Sequence, residues 1–106
     1  MKATIITIPV NGNITTENVT DPNVLKKLRV IVGGPVEVVP LFNTYTYNGK
    51  KRPCVVFCNE EGKIEDLPVN RRATFYWLNS AKRPLSDVLV GDVAVIIGDE
   101  EFFEAL

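Results

Sequence analysis

One continuous apolar run near the end of the chain, Val93–Gly98, constrains the fold more than any other segment. Branched aliphatic residues fill it, with one alanine, before the closing glycine. Strands that are exposed on one face alternate apolar and polar residues, so an unbroken run is typical of a strand buried on both faces. We therefore predict that this segment lies at the centre of a sheet.

Several other segments are rich in β-branched residues and bounded by turn residues, which is the pattern of short strands. The strongest turn signal, Asn48-Gly49, stands between two of them and predicts a hairpin. The polar segment 11–20 is either a loop or a weak edge strand. The segments predicted as strands are residues 3–8, 36–42, 53–58 and 63–67.

The first helix is predicted to begin at Asp21-Pro22, because aspartate accepts bonds from free amides and proline suits the first helical position. The Gly33-Gly34-Pro35 triplet ends it. A second helix is predicted to run from the capping residue Asn70 to about residue 80, although aromatic and β-branched residues there also suit a strand. A last helical turn is predicted for residues 101–106.

Together these elements predict one α+β domain that covers residues 1–106. We expect a single small mixed or antiparallel sheet with one or two helices packed on one face. A hydrophobic content of 45% is enough for a real core. An open sheet edge would allow a second copy to pair, so a homo-oligomer stays open.

The residue types restrict the chemistry. The chain has no histidine, which removes the commonest general base and metal ligand. Cys54 and Cys58 lie about 13 Å apart if residues 53–58 form a strand, too far for a disulfide. We expect two buried thiols in a reducing compartment, no metal, no cofactor and no enzymatic activity. No apolar run is long enough to cross a membrane.

The formal net charge of -1 gives no global attraction for nucleic acid, which is therefore not the favoured partner. Local basic clusters are interpreted mainly as solvated surface. A second hypothesis uses them in a nucleic-acid module, with Tyr45, Tyr47, Tyr76 and Trp77 as stacking surfaces. The basic clusters are Lys26, Lys27 and Arg29; residues 50–52; Arg71 and Arg72; and Lys82 and Arg83.

Four motifs follow one another in an order that is fairly specific. They are a helix running into Gly33-Gly34, Asn59-Glu60-Glu61-Gly62-Lys63, Leu67-Pro68 followed by Asn70 and Ala73-Thr74, and Val90-Gly91-Asp92. Over residues 24–98 the chain resembles the domain of unknown function 3846 family, small proteins carried largely by phages and plasmids. Residues 27–29 depart from the family's pattern. The resemblance implies a mobile-element origin and the cytoplasm of a host cell as the setting.

Two of these motifs contain six polar residues that form one face if the turn after the hairpin folds back on the second helix. Such a face suits a small polar ligand or a charged loop of a partner. The alternative is that the two asparagines only satisfy turn and cap amides. The candidate ligand-binding residues are Asn59, Glu60, Lys63, Asn70, Arg71 and Thr74.

The leading functional hypothesis is a non-catalytic accessory protein of a phage or mobile element. It would bind a host protein or a small nucleotide-like ligand, with counter-defence as one role. A third hypothesis, besides the nucleic-acid module, is a small enzyme that uses Glu60 or Glu61 with Lys63.

Overall fold

A computed structural model describes all residues from 1 to 106. It confirms the predicted α+β class, with a six-stranded sheet and three helices. The elements in chain order are β1 (Ala3–Ile8), β2 (Thr15–Val19), α1 (Leu25–Val32), β3 (Val36–Val38), β4 (Thr44–Tyr47), β5 (Lys50–Asn59), α2 (Arg71–Ala81), β6 (Val93–Gly98) and α3 (Glu100–Ala105).

The sheet is antiparallel throughout, in the order β2-β1-β6-β5-β3, and β4 pairs with the first part of β5. β6 lies between β1 and β5, with Ile96 opposite Ile5 on one side and Val95 opposite Val56 on the other. All five residues of β6 before its glycine are buried. The prediction of a central strand is confirmed.

Alternate residues of the central strands build two separate cores. Ile6, Val56 and Val95 pack with Trp77 of α2 on one face of the sheet, which we call the α2 face. Residues of the opposite parity, such as Ile96, pack with α1 and α3 on the other face. The expectation of helices on one face is therefore corrected: a strand that is apolar at successive positions needs cover on both sides.

The Asn48-Gly49 turn forms as predicted, and both residues have positive φ, as hairpin turns of this kind require. Its first arm is β4, however, and not residues 36–42. That segment breaks after Val38, because Pro40 has no amide to donate and Leu41 adopts a φ of 64°. The long strand β5 therefore pairs with β4 along its first residues and with β6 and β3 along the rest of its length.

The helix boundaries differ in how well the sequence predicts them. α1 begins at Leu25, after an N-cap Val24 that makes no side-chain bond, whereas the Asp21 carboxylate accepts a bond from the Asn23 amide in the turn before it. The predicted end is confirmed, since Gly33 is a left-handed C-cap. α2 is a helix capped by Asn70, which decides between helix and strand.

Three further segments complete the fold. Residues 63–67 are not a strand but a set of turns, closed by a 2.9 Å bond from the Leu67 amide to the Gly62 carbonyl. The segment 11–20 contains the ordered edge strand β2. The terminal helical turn forms as α3 and buries Phe102. None of the helices is long and apolar enough to span a membrane.

Candidate binding cleft

The structure does not bring the six predicted site residues together. Asn59, Glu60 and Lys63 line a cleft on the α2 face, whereas none of the other three lines it. Asn70 and Thr74 hold backbone at the start of α2, and Arg71 is exposed in the first turn of that helix. The single polar face that the sequence suggested is therefore two separate regions.

The first region, which we call the Asn70 junction, is built around the fully buried side chain of Asn70, whose polar atoms are all hydrogen-bonded. Its Nδ2 donates to the carbonyls of Ile8, at 2.8 Å, and Gly91, at 2.9 Å. Its Oδ1 accepts from the Ala73 amide at 3.0 Å as the N-cap. One side chain thereby ties α2 to the end of β1 and to the turn before β6.

Thr74 extends the junction by one turn. Its hydroxyl donates to the Asn70 carbonyl at 2.8 Å and accepts from the Leu89 amide at 3.0 Å. The Asn70 amide in turn donates to the Leu89 carbonyl at 2.8 Å. All of these bonds serve the protein's own backbone, so neither side chain is presented to a ligand.

The second region is the cleft itself, with a volume of about 140 Å³. It lies between the residues after β3, the end of β5 with its following turn, α2, and the segment 87–90 that leads to β6. Its polar lining comes from four charged side chains in addition to Asn59 and Cys58, and its apolar wall from Trp77 and aliphatic residues. The lining includes Glu37, Glu60, Lys63, Asp87, Trp77, Val39 and Leu89.

Asn59 anchors one side of the cleft. Its Oδ1 accepts from the Glu61 amide at 2.8 Å, and its Nδ2 donates to the Val32 carbonyl and to Glu65 Oε1, both at 3.2 Å. A Cβ on Gly34 would lie only 2.9 Å from that Nδ2, so the glycine after α1 makes room for the amide. These contacts hold the 59–63 turn against the end of α1.

The charges in the cleft are unbalanced. Lys63 Nζ donates to Asp87 Oδ1, and this bond lowers the pKa of the Asp87 carboxyl. The carboxylates of Glu37 and Glu60 take part in none of the protein's ion pairs. After internal pairing, the cleft keeps two carboxylates without a cation.

Cys58 lies at the base of this acidic region. Its thiol donates to Glu37 Oε1 at 3.7 Å, and burial, together with the nearby carboxylate, raises the pKa of the thiol to about 12. Cys54, on the same face, is buried and free as well. The two buried thiols predicted from the sequence are confirmed, and at neutral pH they are protonated rather than nucleophilic.

Sequence reasoning missed Glu37, Asp87 and Trp77 as cleft residues. Trp77 Nε1 donates to the Pro40 carbonyl at 2.7 Å and so fixes the indole in the cleft wall. Each of these three residues lies 14 to 24 positions from the nearest of Asn59, Glu60 and Lys63 along the chain, so no local motif links them to the predicted site. The only signal was Trp77 itself, an amphipathic ring on a predicted helix.

A metal site and a stacking surface made of all four aromatic residues find less support in the geometry. No group of three or more His, Cys, Asp or Glu side chains is placed to hold a metal ion. Of the aromatic residues considered for stacking on bases, Tyr45 and Trp77 are buried, and Tyr76 packs edge-on against Tyr45 with ring centroids 5.2 Å apart. Tyr47 alone of the four lies outside these contacts, half-buried.

Fold and cleft together define a small α+β protein with an open antiparallel sheet, helices on both faces and an acidic cleft beside Trp77 of α2. The family model for a domain of unknown function (DUF3846) matches residues 1–106, and the chain belongs to that family. The match extends beyond the 24–98 segment in which the motifs lie. No curated protein and no solved structure matches the chain.

Proposed function

We propose that this protein is a non-catalytic binding protein whose cleft receives a cationic side chain, arginine or lysine, from a host protein. The observation that carries the proposal is the pair of carboxylates, Glu37 and Glu60, that face the cleft without a cationic partner. Unpaired carboxylates beside an apolar wall can form charge-assisted hydrogen bonds with a guanidinium or ammonium group.

The charge of the cleft favours a protein over a nucleotide-like ligand. Three carboxylates and one ammonium group line it, and the ammonium of Lys63 is engaged by Asp87. Phosphate groups would meet net repulsion there, because like charges within a few ångströms raise the free energy of the complex. A basic side chain is attracted by the same charges.

The size and the lining of the cleft fit the end of one side chain. A volume of about 140 Å³ corresponds to roughly five water molecules at ~30 Å³ each. Val39 and Leu89 offer an apolar wall for the methylene stem of lysine or arginine. The Trp77 indole adds the ring type that attracts cations most strongly.

Binding also agrees better than turnover with the state of the reactive groups. The Cys58 thiol, with its pKa raised to about 12, is not activated, and Lys63 is held by an acid rather than desolvated. A stoichiometric accessory role in a phage or mobile element, including counter-defence, is consistent with a recognition cleft of this kind. The host component would contribute an exposed basic residue.

Trp77 makes the proposal directly testable, because it is the only tryptophan and lines the cleft. We would titrate the protein with blocked Gly-Arg-Gly, Gly-Lys-Gly and Gly-Gln-Gly peptides and record the tryptophan fluorescence and the indole N–H resonance. The basic peptides are expected to shift both signals and the neutral peptide to shift neither. Glu37→Gln with Glu60→Gln should weaken binding by about tenfold or more.

The matched control is Glu100→Gln with Glu104→Gln, which removes the same charge from exposed positions of α3. This control should bind like the unmodified protein. An equal response to the neutral peptide, or full binding by the Glu37/Glu60 variant, would contradict the proposal. Saturation by ATP or ADP-ribose in place of the basic peptides would support the nucleotide-like ligand instead.

A further inference from the structure

Cations from two separate parts of the chain come together near the C-terminal end of α2. Lys50, Lys51 and Arg52 begin β5 at the tip of the hairpin, and Lys82 and Arg83 follow the end of α2. Ser80, near the end of α2, ties that helix to the start of the hairpin, because its Oγ accepts from the amides of residues 43 and 44 at 2.9 and 3.0 Å. We call these five cations the basic end.

Nothing in the protein neutralises the basic end. The four ion pairs of the molecule lie elsewhere, at the amino terminus, at Lys27 and at Lys63. The ammonium of Lys82 lies next to that of Lys51 and lowers the pKa of Lys51. Two adjacent like charges without a counter-ion are unfavourable by themselves and become favourable when an anion binds between them.

An open concavity adjoins the basic end at Arg52, the one of the five cations that lines it, on the α2 face where α2 does not cover the sheet. Its volume is about 620 Å³, and its lining includes Thr4, Asn18, Tyr47 and Arg52. The one carboxylate in it, Asp99, is taken by the terminal amino group and the Lys2 amide. The Thr4 hydroxyl donates to Asn18 Oδ1 at 2.9 Å, so the Tyr47 ring and Arg52 are the groups left beside a space with room for a planar group.

We propose that the basic end binds the sugar-phosphate backbone of a single-stranded nucleic acid, with the concavity receiving a base. Clustered lysines and arginines supply the affinity for phosphates, and Tyr47 is the one aromatic residue placed to contact a base. This surface is separate from the acidic cleft and does not depend on its function. The formal net charge of -1 does not reveal this surface, because it sums all 12 basic and 13 acidic residues of the chain.

The test is fluorescence anisotropy of a fluorescein-labelled single-stranded oligothymidylate across a series of salt concentrations. The unmodified protein should bind, with an affinity that falls linearly in log K against log salt. Lys51→Gln with Lys82→Gln should weaken binding by about tenfold or more and reduce the salt slope by about 1.4, the value for two contacts to a single strand. Tyr47→Ala should weaken binding with an unchanged slope.

The matched control is Lys26→Gln with Arg29→Gln on α1, which removes two charges from another exposed surface. It should leave both affinity and slope unchanged, with circular dichroism confirming that all variants fold. An equal loss in both double variants would reduce the effect to general charge attraction and overturn the proposal. Binding to phosphatidylserine vesicles without binding to the oligonucleotide, or capture of inorganic phosphate alone, would overturn it as well.

Discussion

The Asn70 junction and the acidic cleft each contain a buried asparagine, and they differ in what the amide faces. Asn70 is fully buried and binds only backbone groups, in three elements of the fold. Asn59 is 5% exposed and shares its Nδ2 between the Val32 carbonyl and the side-chain carboxylate of Glu65, an exposed residue. The two residues looked alike in the sequence because both are turn and cap formers.

The comparison separates polar groups that build the fold from those that are left for recognition. At the junction every donor and acceptor is matched within the protein, as buried polar groups normally are. In the cleft, Asn59 is matched, but the carboxylates of Glu37 and Glu60 around it have no cationic partner. The candidate site is therefore marked by charged groups that have no partner within the protein, and not by the presence of polar residues alone.

The largest expected effect is at the junction. Asn70→Ala should lower the free energy of unfolding by about 3 to 5 kcal/mol, because it removes a helix cap and leaves two buried carbonyls unsatisfied. Urea unfolding at neutral pH measures this loss. Asn79→Ala, an exposed asparagine in the same helix, should change stability by no more than about 0.5 kcal/mol. A loss below about 1 kcal/mol for the Asn70 variant would erase the distinction between the two regions.

The packing of Gly34 against Asn59 gives a smaller, coupled effect. Gly34→Ala should cost about 1 to 2 kcal/mol, since its Cβ would lie 2.9 Å from the Asn59 amide nitrogen. In a chain that already carries Asn59→Ala the same change should cost almost nothing, because the clash is gone. A double-mutant cycle by urea unfolding should therefore show a coupling above about 0.5 kcal/mol. Strictly additive losses would mean that the close approach has no energetic weight.

Two thiols on the same face of the sheet allow the cleft to be compared with the interior, because Cys58 lines the cleft and Cys54 does not. Burial raises the pKa of Cys54 and of Cys58 to about 12, and Glu37 adds to the rise only at Cys58. Glu37→Gln should therefore lower the pKa of Cys58 and leave that of Cys54 unchanged. Alkylation by iodoacetamide at several pH values, followed by mass spectrometry, measures both, with Cys54 as the internal control. Equal shifts at the two cysteines would contradict the contact with Glu37.

The same thiols predict a dependence of stability on alkaline pH. Their pKa values in the folded protein are raised above the ordinary value of 9.0, so the folded state favours the protonated form. Stability should be fully present below pH 9 and should decline as the pH rises toward 12. A serine variant of both positions should lose this part of the decline.

The smallest expected effect is the Lys63–Asp87 pair, whose side chains are 57% and 53% exposed. Lys63→Gln should change stability at neutral pH by no more than about 0.5 kcal/mol, because exposed pairs are weak. The pKa of the Asp87 carboxyl should rise toward its ordinary value, measured by NMR titration. Since the pair lowers that pKa, its small contribution is fully present above the ordinary pKa and is lost as the pH falls through the lowered pKa of the folded protein. A larger loss would contradict the assignment of this pair as a weak surface ion pair.

Local patterns predicted several elements because their causes are local. The Asn70 cap needs only the chain that follows it, the Asn48-Gly49 turn needs two residues with positive φ, and the glycine after α1 ends that helix by its own conformational freedom. The predicted start of α1 was wrong, because the Asp21 carboxylate accepts from the Asn23 amide in a turn before the helix and does not cap it. The predicted strand at residues 63–67 was wrong because alternation over five residues does not separate a strand from a series of turns.

By itself, the sequence determined that the apolar run Val93–Gly98 would occupy the centre of a sheet, since no other place can bury successive side chains on both faces. Only the tertiary structure decided which polar residues share a surface. In the folded chain the side chains of Asn70 and Thr74 bind backbone groups, whereas Glu37, Trp77 and Asp87 line the cleft. The physical reason is that helix caps and turns depend on neighbouring residues, whereas a cleft depends on strand order, and strand order joins residues that lie far apart in the chain.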